Sequence, residues 1–262
     1  MVWMIFGALL IGMALGLLGS GGSILTVPIL HYLLGHSASQ SAAESLAIVG
    51  TIALVTATLV IFQQQVDWRS VLLFGFPGMG GTVVGAWLGA NWFSGFATLL
   101  LFAIVMLTAA RFMLRPQNSI QNGNGPDGTA AKRKGAWIGV EGFVVGIVTG
   151  VIGVGGGFLI VPALVVWGRL SMERATGTSL VIVTLKCVVG FAEYQYEFAR
   201  SGQQVDWSVI AIFSVVGIVS SLCGRSLAVR MDPAFLRKLF GWLLILIAVA
   251  ILVRELYGSL VN

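Results

Sequence analysis

Two glycine knots, 134 residues apart, interrupt apolar runs that would otherwise read as continuous helices. The first is Gly19-Ser20-Gly21-Gly22-Ser23, followed by Leu25, Val27 and Pro28. The second is Gly153-Val154-Gly155-Gly156-Gly157, followed by Leu159, Val161 and Pro162. The same shift lays Gly12 on Gly146 and Gly16 on Gly150. At membrane depth, backbone freed by such a break has to be covered by protein or by a polar cavity. Paired breaks in the two halves of one chain point to a binding site between short half-helices.

Composition places those runs in a bilayer. Hydrophobic residues make up 57% of the chain and charged residues 10%, against roughly 25% charged in soluble domains. With a mean hydropathy of +0.96 and several apolar runs of about 20 residues, the chain reads as an all-α, polytopic membrane protein. The net charge of +5 then needs no nucleic-acid partner, because Lys and Arg collect in cytoplasmic loops. The expected surroundings are the lipid bilayer. Cys187 and Cys223 both fall in apolar runs and read as small buried hydrophobes. The two histidines are not spaced as a ligand pair, so neither a metal nor another cofactor is expected. No nucleophile, base and metal constellation is visible, so no enzyme is expected. The N-terminal run lacks a basic leader and recurs in the second half, so it reads as part of the fold rather than a cleaved signal.

Along the chain, residues 3–18 lead into the first knot and 23–35 leave it. Long spans follow near 44–62, 70–92 and 95–114. Residues 115–135, with Pro116, Pro126, several Gly and Asn, and Lys132-Arg133-Lys134, read as a flexible cytoplasmic linker. The plan then repeats: 136–152, the second knot, 156–168, and spans near 175–199, 208–229 and 235–256. Gln64-Gln65-Val66-Asp67-Trp68 returns as Gln203-Gln204-Val205-Asp206-Trp207, at an offset of 139. The chain thus divides into a first transmembrane repeat (1–114), a linker (115–135) and a second repeat (136–262). If each knot is a hairpin followed by three spans, the basic clusters around Arg69, Lys132–Lys134, Arg174 and Arg225–Lys238 all fall on the cytoplasmic side. An odd number of crossings per half makes the repeats inverted copies. A single broken spanning helix per knot would make them parallel and would split those clusters.

The knots suggest a chemistry. A short helix starting at about Gly22-Ser23, or at Gly156-Gly157, has unpartnered first-turn N–H groups and the positive end of its dipole. Such an end is a ready anion site, and glycine lets the anion approach the backbone. The candidate binding residues are therefore Gly19, Ser20, Gly21, Gly22 and Ser23 with Gly153, Gly155, Gly156 and Gly157, the two knots meeting near the midplane. Ser20 and Ser23 add hydroxyls to the first knot only. The competing reading is close helix packing, strongest for Gly12, Gly16, Gly146, Gly150 and the Gly81, Gly85, Gly89 series. Lys186, deep in an apolar run, is a further candidate for binding the anion, or else a structural partner of Glu193 or Glu141. Glu44 near a helix start either serves the helix dipole or has a functional role. Asp67 and Asp206 read as helix caps beside interfacial tryptophans. Cys187 reads as packing, or as a group reactive toward sulfur ligands.

With these signatures the chain resembles the TauE/SafE sulfite exporter family. The resemblance is carried by Gly-x-Gly-Gly with a following Pro at Gly19–Pro28 and Gly153–Pro162, and by the duplicated span pattern. It implies a secondary transporter of sulfite or a sulfonate such as sulfoacetate, multi-pass in the bacterial cytoplasmic (inner) membrane, a homodimer being compatible with it. Efflux is the preferred direction, since a leaving anion gains about 2.3 kcal/mol per charge for each 100 mV of inside-negative potential. A passive anion channel and an importer coupled to protons or sodium are the alternatives.

Overall fold

The structure is a computed structural model, and it describes residues 2–20, 22–92, 95–114, 135–152, 157–168 and 170–261. Gly21, Gly153, Gly155, Gly156 and the linker 115–134 lie outside the described residues. All regular structure among the rest is helical: α1 (Val2–Leu18), α2 (Gly22–Leu34), α3 (Ala38–Phe62), α4 (Trp68–Ser70), α5 (Phe76–Trp92), α6 (Gly95–Leu114), α7 (Gly135–Ile152), α8 (Gly157–Val166), α9 (Met172–Ser201), α10 (Trp207–Arg230) and α11 (Pro233–Val261). A π turn, Val71–Gly75, joins α4 to α5. The described helices follow the spans read from the sequence, with α3 beginning well before residue 44 and α11 running past residue 256. Among the described residues, five helices are long and apolar enough to cross a membrane, so the chain is a polytopic all-α membrane protein.

Helix starts repeat as the sequence repeats. Ser37 caps α3 by accepting from the Gln40 N–H, and Ser171, its copy, caps α9 by accepting from Arg174. Asp67 caps α4 through the Ser70 N–H, and its copy Asp206 caps α10 through Ser208 and Val209. Each such cap contributes about 1 kcal/mol. The expected capping role of the Asp-Trp loops is thus met, with Trp68 and Trp207 both exposed at the helix ends.

The helices cluster into two compact units, neither of which coincides with a sequence repeat. Unit 1 comprises Met1–Val71 and Gly153–Leu236, and unit 2 comprises Leu72–Ile152 and Arg237–Asn262. The chain leaves unit 1 inside the π turn and returns to it at the second knot.

In unit 1, α1 and α2 form an antiparallel hairpin: Gly22 lies against Ile11 and Leu15, while Ile29 lies against Gly7. The same α1 runs parallel to α10. A Cβ added at Gly12 would lie 2.2 Å from the Gly217 carbonyl oxygen, and one at Gly16 would lie 2.1 Å from that of Ser221. Backbones this close gain from dispersion and Cα–H···O contacts rather than side-chain burial. In unit 2, α7 runs parallel to α5 through Gly146 over Gly78 and Gly150 over Thr82, each 2.2 Å from the carbonyl oxygen by the same measure. These are the same contacts shifted by 134 and 139 residues. The reading of Gly12, Gly16, Gly146, Gly150, Gly81 and Gly85 as packing glycines is therefore correct.

Antiparallel α3 and α9 complete the frame of unit 1. Gly50 packs on Cys187, Leu46 on Gly190 and Val60 on Gly177. Cys187 is buried in this contact, as expected, whereas Cys223 is exposed on α10 rather than buried.

Candidate functional site

The first knot is a buried, polar-lined hairpin turn. Gly19 has φ +77°, a left-handed conformation that favours glycine, and a Cβ there would lie 2.6 Å from the Thr176 methyl. Ser20 is fully buried. Ser179, also fully buried, has its Oγ 2.8 Å from the Thr176 carbonyl and 3.3 Å from the Gly19 carbonyl. Helix α2 begins at Gly22, where a Cβ would lie 2.7 Å from the Ile11 carbonyl, so this glycine also packs the hairpin. Ser23 sits in the first turn, and that turn carries no acidic residue to occupy its positive end. Buried Ser20 thus stands just before a helix start held inside protein, which is what an anion site built on backbone donors needs. On the second knot, Gly157 is described: it is buried and opens α8, which likewise has no acid in its first turn.

Lys186 sits elsewhere. It lies seven residues beyond Ser179 along α9, about 10 Å at 1.5 Å per residue. The first knot is therefore level with the opening turns of α9, and Lys186 with its middle. Among the described residues the Lys186 ammonium makes no ion pair or hydrogen bond. Its sequence copy in α3 is Ile52, whose side chain packs on Gly217 of α10. A cation thus occupies a register position that serves apolar helix packing in the other half.

Glu44 is fully buried and fully used. It accepts from His36 Nδ1 (2.7 Å), Gln40 Nε2 (2.9 Å) and the backbone N–H of Asp206 (2.8 Å). His31 Nδ1–H in turn donates to the His36 carbonyl at 2.8 Å. At the opposite end of unit 1 the copy of Glu44, Thr178, accepts the backbone N–H of Asp67 at 3.0 Å. Both residues tie the first turns of a long helix to the cap of the helix entering from the other half. The structural alternative for Glu44 is met, but it is a three-donor clasp rather than a dipole partner.

In the sequence Arg225 reads only as a marker of topology. The structure buries it to 5% exposure on α10. Its Nη2 donates to Gln65 Oε1, and Gln65 Nε2 donates to Glu173 Oε1. Only burial reveals this residue, because its position near a helix end looks like any other basic flank.

Residues 4–251 match the family model for the sulfite exporter TauE/SafE. A probable membrane transporter protein of Xylella fastidiosa (strain 9a5c) is 32% identical over 255 residues, covering 96% of this chain and 94% of that protein. The probable membrane transporter protein YunE of Bacillus subtilis is 29% identical over 70% of this chain and 73% of its own length. A probable membrane transporter protein of Haemophilus influenzae is 26% identical over 93% and 92%. No solved structure matches the chain significantly.

Proposed function

The chain belongs to the TauE/SafE sulfite exporter family, a family of membrane transporters, and from that premise we propose a secondary transporter that exports sulfite or a sulfonate such as sulfoacetate. The observation that supports this most is the first knot. It joins an antiparallel hairpin inside unit 1, buries the acid-free start of α2, and holds buried Ser20 beside the Ser179 hydroxyl. Such a site replaces an oxyanion's hydration with fixed backbone donors and no permanent opposite charge, so the ion is bound and also released. Gly153, Gly155, Gly156 and Gly157 supply the second half of the site in this reading, with Lys186 adding an attractive charge deeper along α9. Inverted repeats that rock against one another give alternating access, and the inside-negative potential drives the anion out.

Proteoliposomes loaded with sulfite test the proposal. Saturable release that appears only with the protein is expected, together with trans-stimulation by sulfite on the far side. Release that rises linearly with concentration would mean a passive channel. No release of sulfite, sulfoacetate or thiosulfate would remove the sulfur-anion assignment.

A further inference from the structure

We infer that Arg225, together with the cavity it lines, forms a small-oxyanion site on the approach to the first knot. The inference rests on the transport reading above and names a residue for it. The cavity holds about 110 Å³ and is bounded by Leu17, Glu173, Thr176, Arg225, Met231 and Pro233, among others. That is room for several waters, or for one ion the size of sulfite or sulfate. Exposed Glu173 and Pro233 form its rim, and buried Thr176 and Arg225 its floor. Thr176 also touches Gly19, and Leu17 lies in the last turn of the helix that leads into the knot, so the cavity adjoins the break directly.

Arg225 is unusual for a buried cation. Among the described residues it has no ion pair, and its one hydrogen bond goes to a neutral amide, Gln65. Its Nε is buried without a partner. A buried charge is normally retained only when paired and hydrogen-bonded. Here the nearest acid, Glu173, is held by Gln65 at one remove and stands exposed at the rim, where it acts on Arg225 through its field without pairing with it. The guanidinium fork is complementary to an oxyanion that accepts two hydrogen bonds. The second knot has no such counterpart in the sequence: the first-half copies of Arg225 and Glu173 are Ala86 and Ser39. The site therefore belongs to the first knot, the one that also carries Ser20 and Ser23.

The test is titration of the purified full chain in detergent with sulfite, and separately with sulfate, read by calorimetry and by thermal shift. Wild type is expected to bind sulfite and melt higher in its presence. Arg225→Gln should weaken binding at least tenfold and lose the thermal shift, while Arg225→Lys keeps part of both. Glu173→Gln, at an exposed position that leaves the acceptor for Gln65 in place, should tighten binding several-fold. A folded Arg225→Gln protein with wild-type affinity overturns the site, as does an unchanged affinity in Glu173→Gln. If Arg225→Gln fails to fold, the Glu173→Gln titration decides alone. Normal sulfite release from proteoliposomes by an Arg225→Gln protein of unchanged affinity would remove only this inference. A wild type that neither binds nor releases sulfite or sulfate would remove the transport reading, and this one with it.

Discussion

Glu44, itself at zero exposure, accepts from a side chain before α3, from α3 itself and from the backbone at the start of α10. Truncating it orphans the Asp206 N–H and empties the space beside His36. A loss of roughly 2–3 kcal/mol is expected for Glu44→Ala. Its copy Thr178 supplies one acceptor only, so Thr178→Ala should lose about 1 kcal/mol. Thermal melts of the two variants in the same detergent check the ranking, and equal losses would contradict the clasp. Lys186 gives the opposite expectation. With no partner among the described residues, its ammonium contributes nothing visible to the fold. Lys186→Met should melt at or above wild type, yet bind sulfite at least about tenfold more weakly, the scale of one removed charge at an effective dielectric of about 20. Wild-type affinity in that variant would end its proposed role.

At the scale of elements, the parallel pairs α1–α10 and α5–α7 use one contact twice. Gly12 and Gly146 are copies, and each leaves no room for a Cβ against a carbonyl oxygen 2.2 Å away. Gly12→Ala and Gly146→Ala must therefore push a helix pair apart, with a loss of roughly 1–3 kcal/mol each. Gly80, on α5 with nothing within 4 Å of an added Cβ, should instead gain up to about 1 kcal/mol on substitution by Ala, from helix propensity alone. Melting temperatures of the three variants, normalised to wild type, separate packing from propensity. A neutral Gly12→Ala would contradict the close approach.

For the whole molecule, the informative observation lies within unit 1. Helix α3 carries the first Gln-Val-Asp-Trp loop at its end and, through Glu44, the second at its beginning. From Glu44 to its end at Phe62 the helix rises by about 27 Å, which places the two loops toward opposite ends of the unit. Inverted repeats therefore predict opposite faces of the membrane for them. In a Cys223→Ala background, where Cys187 is buried, a membrane-impermeant thiol reagent should label Gln203→Cys in intact cells. Gln64→Cys should react only after the cytoplasmic side is opened. Labelling of both from one side would refute the inversion.

Much of this was legible in the sequence, and for a definite reason. In hydrocarbon every helix must be long, apolar and internally hydrogen-bonded, so spans, breaks and caps are written as composition, glycine and Ser or Asp at fixed positions. Duplication doubled each signal, which is why Asp67 and Asp206 fall into place as a capping pair. What a linear pattern does not carry is which helix faces which. That Gly12 meets Gly217 rather than a residue of its own half, that Glu44 reaches across to Asp206, and that Arg225 turns inward to Gln65 while Lys186 has no partner among the described residues are all matters of packing. They depend on the close approach of backbones from different halves of the chain. Only the tertiary structure brings those halves together, and with them the cation beside the first knot.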